Sequence, residues 1–408
     1  MHTARAGRLT AALAILASCV AACGSTTATS HFASTSTAAV SPTVSSSAAA
    51  TPVATATPTP SAATVASCAG GAGPATGSPI LAIEPTPDQV ALVDLSGAVL
   101  NQTGISSPGR WPVGYGPDGV YLYDTVTGDL SLFGATGQPK ALGQIAPMGD
   151  GDLFSAAESP NGQCWLFSDT TFDTTLNGTT KLYAGIGAAA PVVITTLKRS
   201  DGDGGGYSLL AWDASGVILG TAPTGVGGGP SPFVDYSNIT VVRLDPVALS
   251  TSSPLCGSLS FEGTGPDGSL ACVTRLGENA PAQAGIQVVR PGGTSVSVST
   301  GQPMAGHVLL PDASTVAYCT TDDNPAPDGA LWTETLWEAQ LGATPISPRK
   351  LMSGDQGWCE TGAAVSNTSI AEILNSNGAQ NAGDLAIVDL TTGGYTKIGS
   401  AAVILGLL

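Results

Sequence analysis

What most restricts the fold of this chain is a repeated unit, a tight turn followed by a run of apolar residues. It appears as Gly116-Pro117-Asp118-Gly119 before Val120-Tyr121-Leu122-Tyr123, and as Ser159-Pro160-Asn161-Gly162 before Cys164-Trp165-Leu166-Phe167. It recurs as Asp213-Ala214-Ser215-Gly216 before Val217-Ile218-Leu219, and as Gly265-Pro266-Asp267-Gly268 before Leu270-Ala271-Cys272-Val273. Looser copies are Pro311-Asp312-Ala313-Ser314 before Val316, and Ser366-Asn367-Thr368-Ser369 before Ile370. Proline presets the first turn dihedral, Asp or Asn bonds its own backbone, and glycine takes the positive φ. The apolar runs that follow read as strands.

A second unit is a short hairpin, seen at Val90–Leu100, Leu130–Leu142, Leu182–Ile194, Ile239–Leu249, Ile286–Val296, Leu336–Ile346 and Leu385–Ile398. Its starts lie 40, 52, 57, 47, 50 and 49 residues apart. Seven units, each able to give four strands, match the period of a β-propeller. One blade cannot bury both faces of its small sheet, so the blades must stack in a ring. The expected fold is therefore all-β, a seven-bladed propeller. The apolar stretch Ala401–Leu408 is expected to complete the first blade, whose other strands begin near Ile80. The alternative is a frayed or membrane-brushing tail, since eight residues are too few to span a bilayer.

The runs Asp267-Gly268 to Val273 and Leu385-Ala386-Ile387-Val388-Asp389-Leu390 resemble the TolB-like, WD40-like (PD40-type) propeller repeat of bacterial envelope proteins. The resemblance extends over about 300 residues and rests on repetition rather than on any single copy. The recurrent Trp-Asp dipeptide of the WD40 type is missing; Trp212-Asp213 occurs once, before a turn.

The first 67 residues read differently. Met1–Arg8 carries two arginines and no acid, and Leu9–Val20 is a short apolar stretch, as in a secretory signal. Val20-Ala21-Ala22-Cys23-Gly24 resembles the bacterial lipobox, which implies cleavage before Cys23 and a lipid on its thiol. Leu16-Ala17-Ser18-Cys19 fits the same pattern but leaves an apolar region of only seven residues. The other reading is an ordinary cleaved signal. Of residues 24–67, 41 of 44 are Ser, Thr, Ala, Pro or Val, too little bulky apolar surface to offset the entropy of ordering. That segment reads as a disordered stalk, about 35–40 Å across as a coil and roughly 135 Å when fully extended. The expected divisions are 1–22 signal peptide, 23–67 linker and 68–408 propeller.

Charge narrows the partners. Residues 68–408 hold all 30 acidic and 11 of the 13 basic residues, a net of −19, so nucleic acid is excluded as a partner. The same region holds Cys68, Cys164, Cys256, Cys272, Cys319 and Cys359. An even number in an exported chain suggests three disulfides, with fifteen possible connectivities. Cys256 and Cys272 flank a turn and could cross an antiparallel pair; Cys319 with Cys359 and Cys68 with Cys164 are the companion pairings. Buried free thiols are the alternative. No C-x-x-C occurs.

Catalytic signals are thin. His307 is the one histidine after residue 67, no G-x-S-x-G elbow exists, and no phosphate-binding loop is found. His307 precedes Val308-Leu309-Leu310 and reads as a structural histidine at a strand start. No cofactor is expected. Calcium is a weak candidate at Asp201 and Asp203, where Asp-Gly pairs equally suit turns. The long, irregular segments are 145–158, 168–180, 199–207, 221–238, 274–284, 320–335 and 375–383, and all connect strands on one face of a propeller. They carry Asp169, Asp173, Asp201, Asp203, Asp235, Tyr236, Asp322, Asp323 and Trp332 among their acids and aromatics. Acid beside aromatic suits a cationic, sugar or peptide ligand.

The sequence thus points to a lipid-anchored extracytoplasmic protein that faces outward from a bacterial membrane and is not an enzyme. Its propeller would bind or scaffold an unknown protein, peptide or glycan through an acidic long-loop face. The alternative is a propeller hydrolase, lyase or cyclase using carboxylates at the channel mouth, marked by two or three converging acids with shifted pKa values. A passive envelope spacer is the third possibility. Replacing Cys23 with Ala is expected to move the protein from the membrane to the soluble fraction. Retention on membranes by Cys23→Ala and by the Cys19→Ala/Cys23→Ala pair would refute lipid anchoring.

Overall fold

The computed structural model describes residues 77–408 except 106–108, 146, 148–152, 175–176, 187–190, 200–204, 214, 222–239, 246–248, 275–283, 303, 322–332, 355–360 and 375–381. Within the described residues every regular element is a β-strand. Blade 1 contains β1 (Ile80–Thr86), β2 (Gln89–Asp94) and β3 (Val99–Gly104). Blade 2 is β4 (Arg110–Gly116), β5 (Gly119–Asp124), β6 (Asp129–Phe133) and β7 (Lys140–Gln144). Blade 3 is β8 (Leu153–Glu158), β9 (Cys164–Phe172), β10 (Gly178–Ile186) and β11 (Val192–Lys198). Blade 4 has β12 (Tyr207–Asp213), β13 (Gly216–Thr221) and β14 (Thr240–Leu244). Blade 5 is β15 (Ser260–Thr264), β16 (Leu270–Val273), β17 (Gly285–Val289) and β18 (Ser295–Ser299). Blade 6 is β19 (Met304–Leu309), β20 (Thr315–Thr321), β21 (Glu334–Gln340) and β22 (Arg349–Gly354). Blade 7 is β23 (Gly362–Ser366), β24 (Ser369–Leu374), β25 (Gly383–Asp389) and β26 (Tyr395–Ala401).

The last strand, β27 (Val403–Leu407), returns to blade 1 and gives it the order β27-β1-β2-β3. It pairs antiparallel with β1 through Leu81–Leu407, Ala82–Gly406, Ile83–Ile404 and Glu84–Val403. The first strands of neighbouring blades touch around the ring, β27 with β4, β4 with β8, β8 with β12, β15 with β19, β19 with β23, and β23 with β27. They form its inner wall. The fold is a seven-bladed propeller closed by the two ends of the described chain.

Burial explains why the repeat reads as it does. The second strand of a blade is covered on both sheet faces by the adjoining blades, so β5, β9, β13, β16 and β20 are buried over most or all of their length. Their sequences are accordingly near-continuous apolar runs. The outermost strands β3, β11, β18 and β22 are largely exposed and read as polar or alternating. Seven apolar clusters lie among the described residues, each spanning a pair of neighbouring blades. Between blades 2 and 3 the rings of Tyr123, Phe154 and Phe167 meet at centroid distances of 4.6, 5.1 and 5.5 Å, within the favourable range for tilted aromatic pairs. The turn glycines do what the motif requires: Gly162 and Gly268 have φ of +68° and +81°.

Blade 4 departs from the expected four strands. The segment after β14 runs along its outer edge, with Ser252 N–H on the Arg243 carbonyl (2.8 Å) and Leu255 N–H on the Val241 carbonyl (2.8 Å). Pro254 has no N–H to give, so a regular ladder cannot form. This segment leads into Cys256, whose disulfide with Cys272 has a Cα–Cα distance of 5.8 Å. The bond therefore staples the edge of blade 4 to β16 of blade 5, rather than crossing the β15–β16 pair. Cys164 and Cys319 are also disulfide-bonded; the companions expected for them, Cys68 and Cys359, lie outside the described residues.

Within β27, Val403, Ile404 and Leu405 are at most 4% exposed. Removing them forfeits roughly 5–9 kcal/mol of apolar burial, comparable with the whole stability of a domain. Deleting residues 403–408 is expected to abolish cooperative thermal unfolding, as followed by circular dichroism. An unchanged melting curve would contradict closure through β27.

Candidate functional site

The three longest links within blades, Thr221 to Thr240, Thr321 to Glu334 and Val273 to Gly285, lie on one face. On the opposite face first-to-second links are short, from Gly116 to Gly119, Asp213 to Gly216 and Ser366 to Ser369, and the longest third-to-fourth link runs from Gln340 to Arg349. The link from Leu374 to Gly383, also between second and third strands, shares the face of the three longest. Long links between blades, such as Lys198 to Tyr207 and Gly354 to Gly362, join the same face. The binding-face residues Asp201, Asp203, Asp235, Tyr236, Asp322, Asp323 and Trp332 all fall outside the described residues, as does Cys23.

Two expected loops are shorter than the sequence suggests. Segment 168–180 is mostly strand, because β9 and β10 run nine residues each and pair from Cys164–Ile186 to Phe172–Gly178. Asp169 is thus a buried strand residue paired in register with Lys181. Segment 145–158 likewise gives its last six residues to β8. The Ser, Thr and Asp residues of 168–175 disguised the ends of β9 and β10 as loop.

Beneath the long-loop face the inner wall carries a cluster not evident in the sequence. His307 lies on β19 at a bulge between the pairs Gly306–Cys319 and Leu309–Ala317. Its φ is +49°, a left-handed conformation that costs a non-glycine residue about 1–2 kcal/mol. Two contacts hold it there. Its backbone N–H donates to Glu262 Oε2 on β15 at 3.0 Å, and its Nε2 lies 2.8 Å from Glu372 Oε1 on β24. The three residues therefore join blades 5, 6 and 7. Glu372 pairs with Gly362, the first residue of β23, which places the cluster toward the face of the 355–360 and 375–381 connections.

The electrostatics are unusual. Glu372 is fully buried, and its Oε2 has no hydrogen-bond partner. Glu262 keeps part of its surface open, yet the protein around it pushes its carboxyl up to about 7, against the opposing pull of the His307 N–H and charge. Burial alone would lower the His307 imidazole. The charge and hydrogen bond of Glu372, with the charge of Glu262, outweigh that and raise it above its ordinary value. Such a group can accept, hold and release a proton near neutral pH.

Another buried carboxylate with a raised pKa sits near the opposite face. Glu158, at the end of β8, accepts the Asp118 N–H at 3.0 Å. Burial pushes it up to about 7, opposed by that N–H, assisted by the Asp118 charge and opposed by the Tyr121 hydroxyl. Between blades 6 and 7 the short-turn face also bears a groove of about 520 Å³, with Asp312, Glu338, Arg349 and Thr391 in its lining. Arg349 is already engaged, its Nε 3.4 Å from Glu338 Oε2 and its Nη2 on the Leu390 carbonyl. Among the described residues no three His, Cys, Asp or Glu side chains converge as metal ligands; Asp201 and Asp203 are not among those residues.

Sequence reasoning placed His307 at a strand start as a structural residue and did not mark Glu262, Glu372 or Glu158. The partners of His307 lie 45 and 65 residues away, and only blade stacking brings them together. A local signal did exist: Glu372 interrupts the apolar run Ile370-Ala371-Glu372-Ile373-Leu374, and a carboxylate in such a strand must be paired or protonated.

No protein-family model and no curated protein matches this chain. Solved structures similar to it include a putative TolB from Agrobacterium tumefaciens, at 16% identity and a TM-score of 0.39, covering 69% of this chain and 92% of that one. A puromycin-hydrolyzing peptidase from Mycobacterium tuberculosis gives 13% identity and a TM-score of 0.43; 84% of this chain is covered but only 55% of the peptidase. The WD40 domain of SCAP from fission yeast gives 9% identity and a TM-score of 0.33, over 70% of this chain and 85% of that one. The propeller assignment itself rests on the strand order and closure described above.

Gly362 gives the cluster a steric test. A Cβ there would stand 2.7 Å from both Glu372 Oε1 and the Ala371 carbonyl oxygen, and 2.8 Å from His307 Nε2. Gly362→Ala is expected to destabilise the protein by about 1–3 kcal/mol through overpacking, read as a lower denaturant midpoint. Gly342→Ala, with nothing within 4 Å, serves as the neutral control. Equal midpoints for the two variants would mean that the Gly362 packing is looser than described.

Proposed function

We propose that this chain is a membrane-anchored, extracytoplasmic binding or scaffolding module that engages a protein, peptide or glycan through its long-loop face. The observation that carries the reading is the one-sided placement of the long connections on a rigid ring. A rigid scaffold presenting extended loops at one end is the usual arrangement for recognition, because the ring fixes loop ends while the loops vary. Acidic and aromatic residues in those loops, including Asp235, Tyr236, Asp322, Asp323 and Trp332, suit a cationic or sugar-bearing partner. Lipid attachment at Cys23 and the 23–67 segment would hold this face away from the membrane. Among the described residues no helix is long and apolar enough to cross a membrane. Calcium at Asp201 and Asp203 would be an accessory to such a face.

The catalytic alternative has one observation on its side, the convergence of Glu262, His307 and Glu372 with raised proton affinity at Glu262 and His307. Against it, Glu372 is fully buried and His307 is 9% exposed, with both side chains engaged in holding blades together. Binding is the better-supported role.

The test is loop replacement in the full chain. Residues 222–239 and 322–332 are exchanged for short Gly-Ser turns, and residues 341–348 on the opposite face are exchanged as a control. Capture of envelope-derived peptides and glycans on an array is expected to fall by on the order of tenfold for the first two exchanges, and to be unchanged for the control. Equal capture by all three variants, with unchanged melting temperatures, would refute a binding role for the long-loop face.

A further inference from the structure

We propose that Glu262, His307 and Glu372 form a proton-operated latch that ties blades 5, 6 and 7 together and loosens the ring there as protons leave. The inference goes beyond the binding reading, since it concerns the ring whatever the loops hold.

Geometry carries it first. His307 is the middle residue of a three-blade bridge, with its main chain secured to blade 5 through Glu262 and its side chain to blade 7 through Glu372. Its left-handed backbone is supported by these two contacts, because the bulge in β19 leaves it outside the β19–β20 ladder. From the partner strand β20, the neighbouring residues are Cys319, which is disulfide-bonded, and Tyr318, whose buried hydroxyl has no partner. From β23 the facing residue is Gly362, with no side chain to intervene. The charged groups that govern His307 are thus Glu262 and Glu372.

Protonation then sets the strength of the bridge. With His307 charged, the buried Glu372 side chain faces a counter-charge at 2.8 Å. With His307 neutral, that counter-charge is gone, Glu372 Oε2 is still unpartnered, and only the Nε2–Oε1 hydrogen bond holds the bridge. Glu262 lowers stability in the same direction through the burial of its charge, while its contacts with His307 favour the ionised form. Below its unfolded value near 4.5 its contribution to stability is fully present, and it is lost as pH rises through about 7. His307 contributes fully below 6.5 and loses that contribution as pH rises through its higher folded value. Both groups therefore make the ring tighter in mild acid and looser above neutrality.

The full-length chain is titrated by NMR, following the imidazole C–H signals from pH 5 to 9, with His31 in the Ser/Thr-rich segment as an internal reference. His307 is expected to titrate above 6.5, and Glu372→Gln is expected to lower its midpoint by about one unit, a tenfold loss of proton affinity. In parallel, melting temperature is measured at pH 5.5 and 8 for wild type, Glu262→Gln, Glu158→Gln and His307→Asn. Asparagine tolerates the left-handed backbone, so His307→Asn removes the proton while keeping the bulge. The wild-type melting temperature is expected to fall from pH 5.5 to 8. His307→Asn and Glu262→Gln should each reduce the fall, and Glu158→Gln should remove only the share arising between blades 2 and 3. A His307 midpoint at or below 6.5, or an undiminished fall in both Glu262→Gln and His307→Asn, would overturn the latch; if His307→Asn fails to fold, the NMR shift in Glu372→Gln decides.

Discussion

Everything in this fold depends on the burial of each blade between two others. A sheet of four- to nine-residue strands has two apolar faces and cannot cover either by itself. Stacking solves this for every blade except the first and last, and those are covered only if the ring closes. The pairing of β27 with β1 supplies that closure. It also places Val403, Ile404 and Leu405 in the seams on both sides of blade 1, which are the clusters that contain Leu92 and Val120 on one side and Ile373 and Leu385 on the other. Breaking this one pairing therefore threatens the two apolar seams beside it as well as the β27–β1 ladder itself.

The same constraint explains which parts of the fold could be read from sequence. Turn chemistry is local, so Pro-Asn-Gly and Pro-Asp-Gly marked the first-to-second strand links, and Gly162 and Gly268 adopt the conformations those motifs require. The hairpins were equally legible because their two strands are adjacent in sequence. Blade number followed from the period. The strand pair around Asp169 and Lys181 was not legible, because polar residues at its ends carry no apolar period. Blade 4 lost its fourth strand to a segment broken by Pro254, a local feature that the hairpin pattern at Ile239–Leu249 concealed.

The inner-wall cluster belongs to a different class of feature. Glu262, His307 and Glu372 lie on three blades, and no spacing rule links residues 45 and 65 positions apart. Their meeting is a product of register within blades and rotation between them, both of which are fixed by side-chain packing across seams rather than by local chemistry. Sequence does show that two of them are out of place: a glutamate inside Ile370–Leu374 and a lone histidine ahead of Val308-Leu309-Leu310. Reading such residues as unexplained, rather than as incidental to their strands, would have flagged the site without locating it.

The positions of the buried acids also bear on how the molecule divides its work. Replacing Glu372 and His307 by apolar residues of similar volume would remove a desolvation penalty, and buried ion pairs are commonly no more stabilising than such packing. Their presence is thus not explained by stability alone. Nor does the closing of the ring require them, since the seven apolar clusters already span each pair of blades. What the ion pair adds is dependence on a proton, at a seam lying under the 355–360 and 375–381 connections. Apolar seams respond little to pH, so a ring built from them alone would be equally tight in any compartment. By placing a histidine between two carboxylates, the chain gives the two seams of blades 5–7 a pH response of their own, where the wall meets the face proposed to bind.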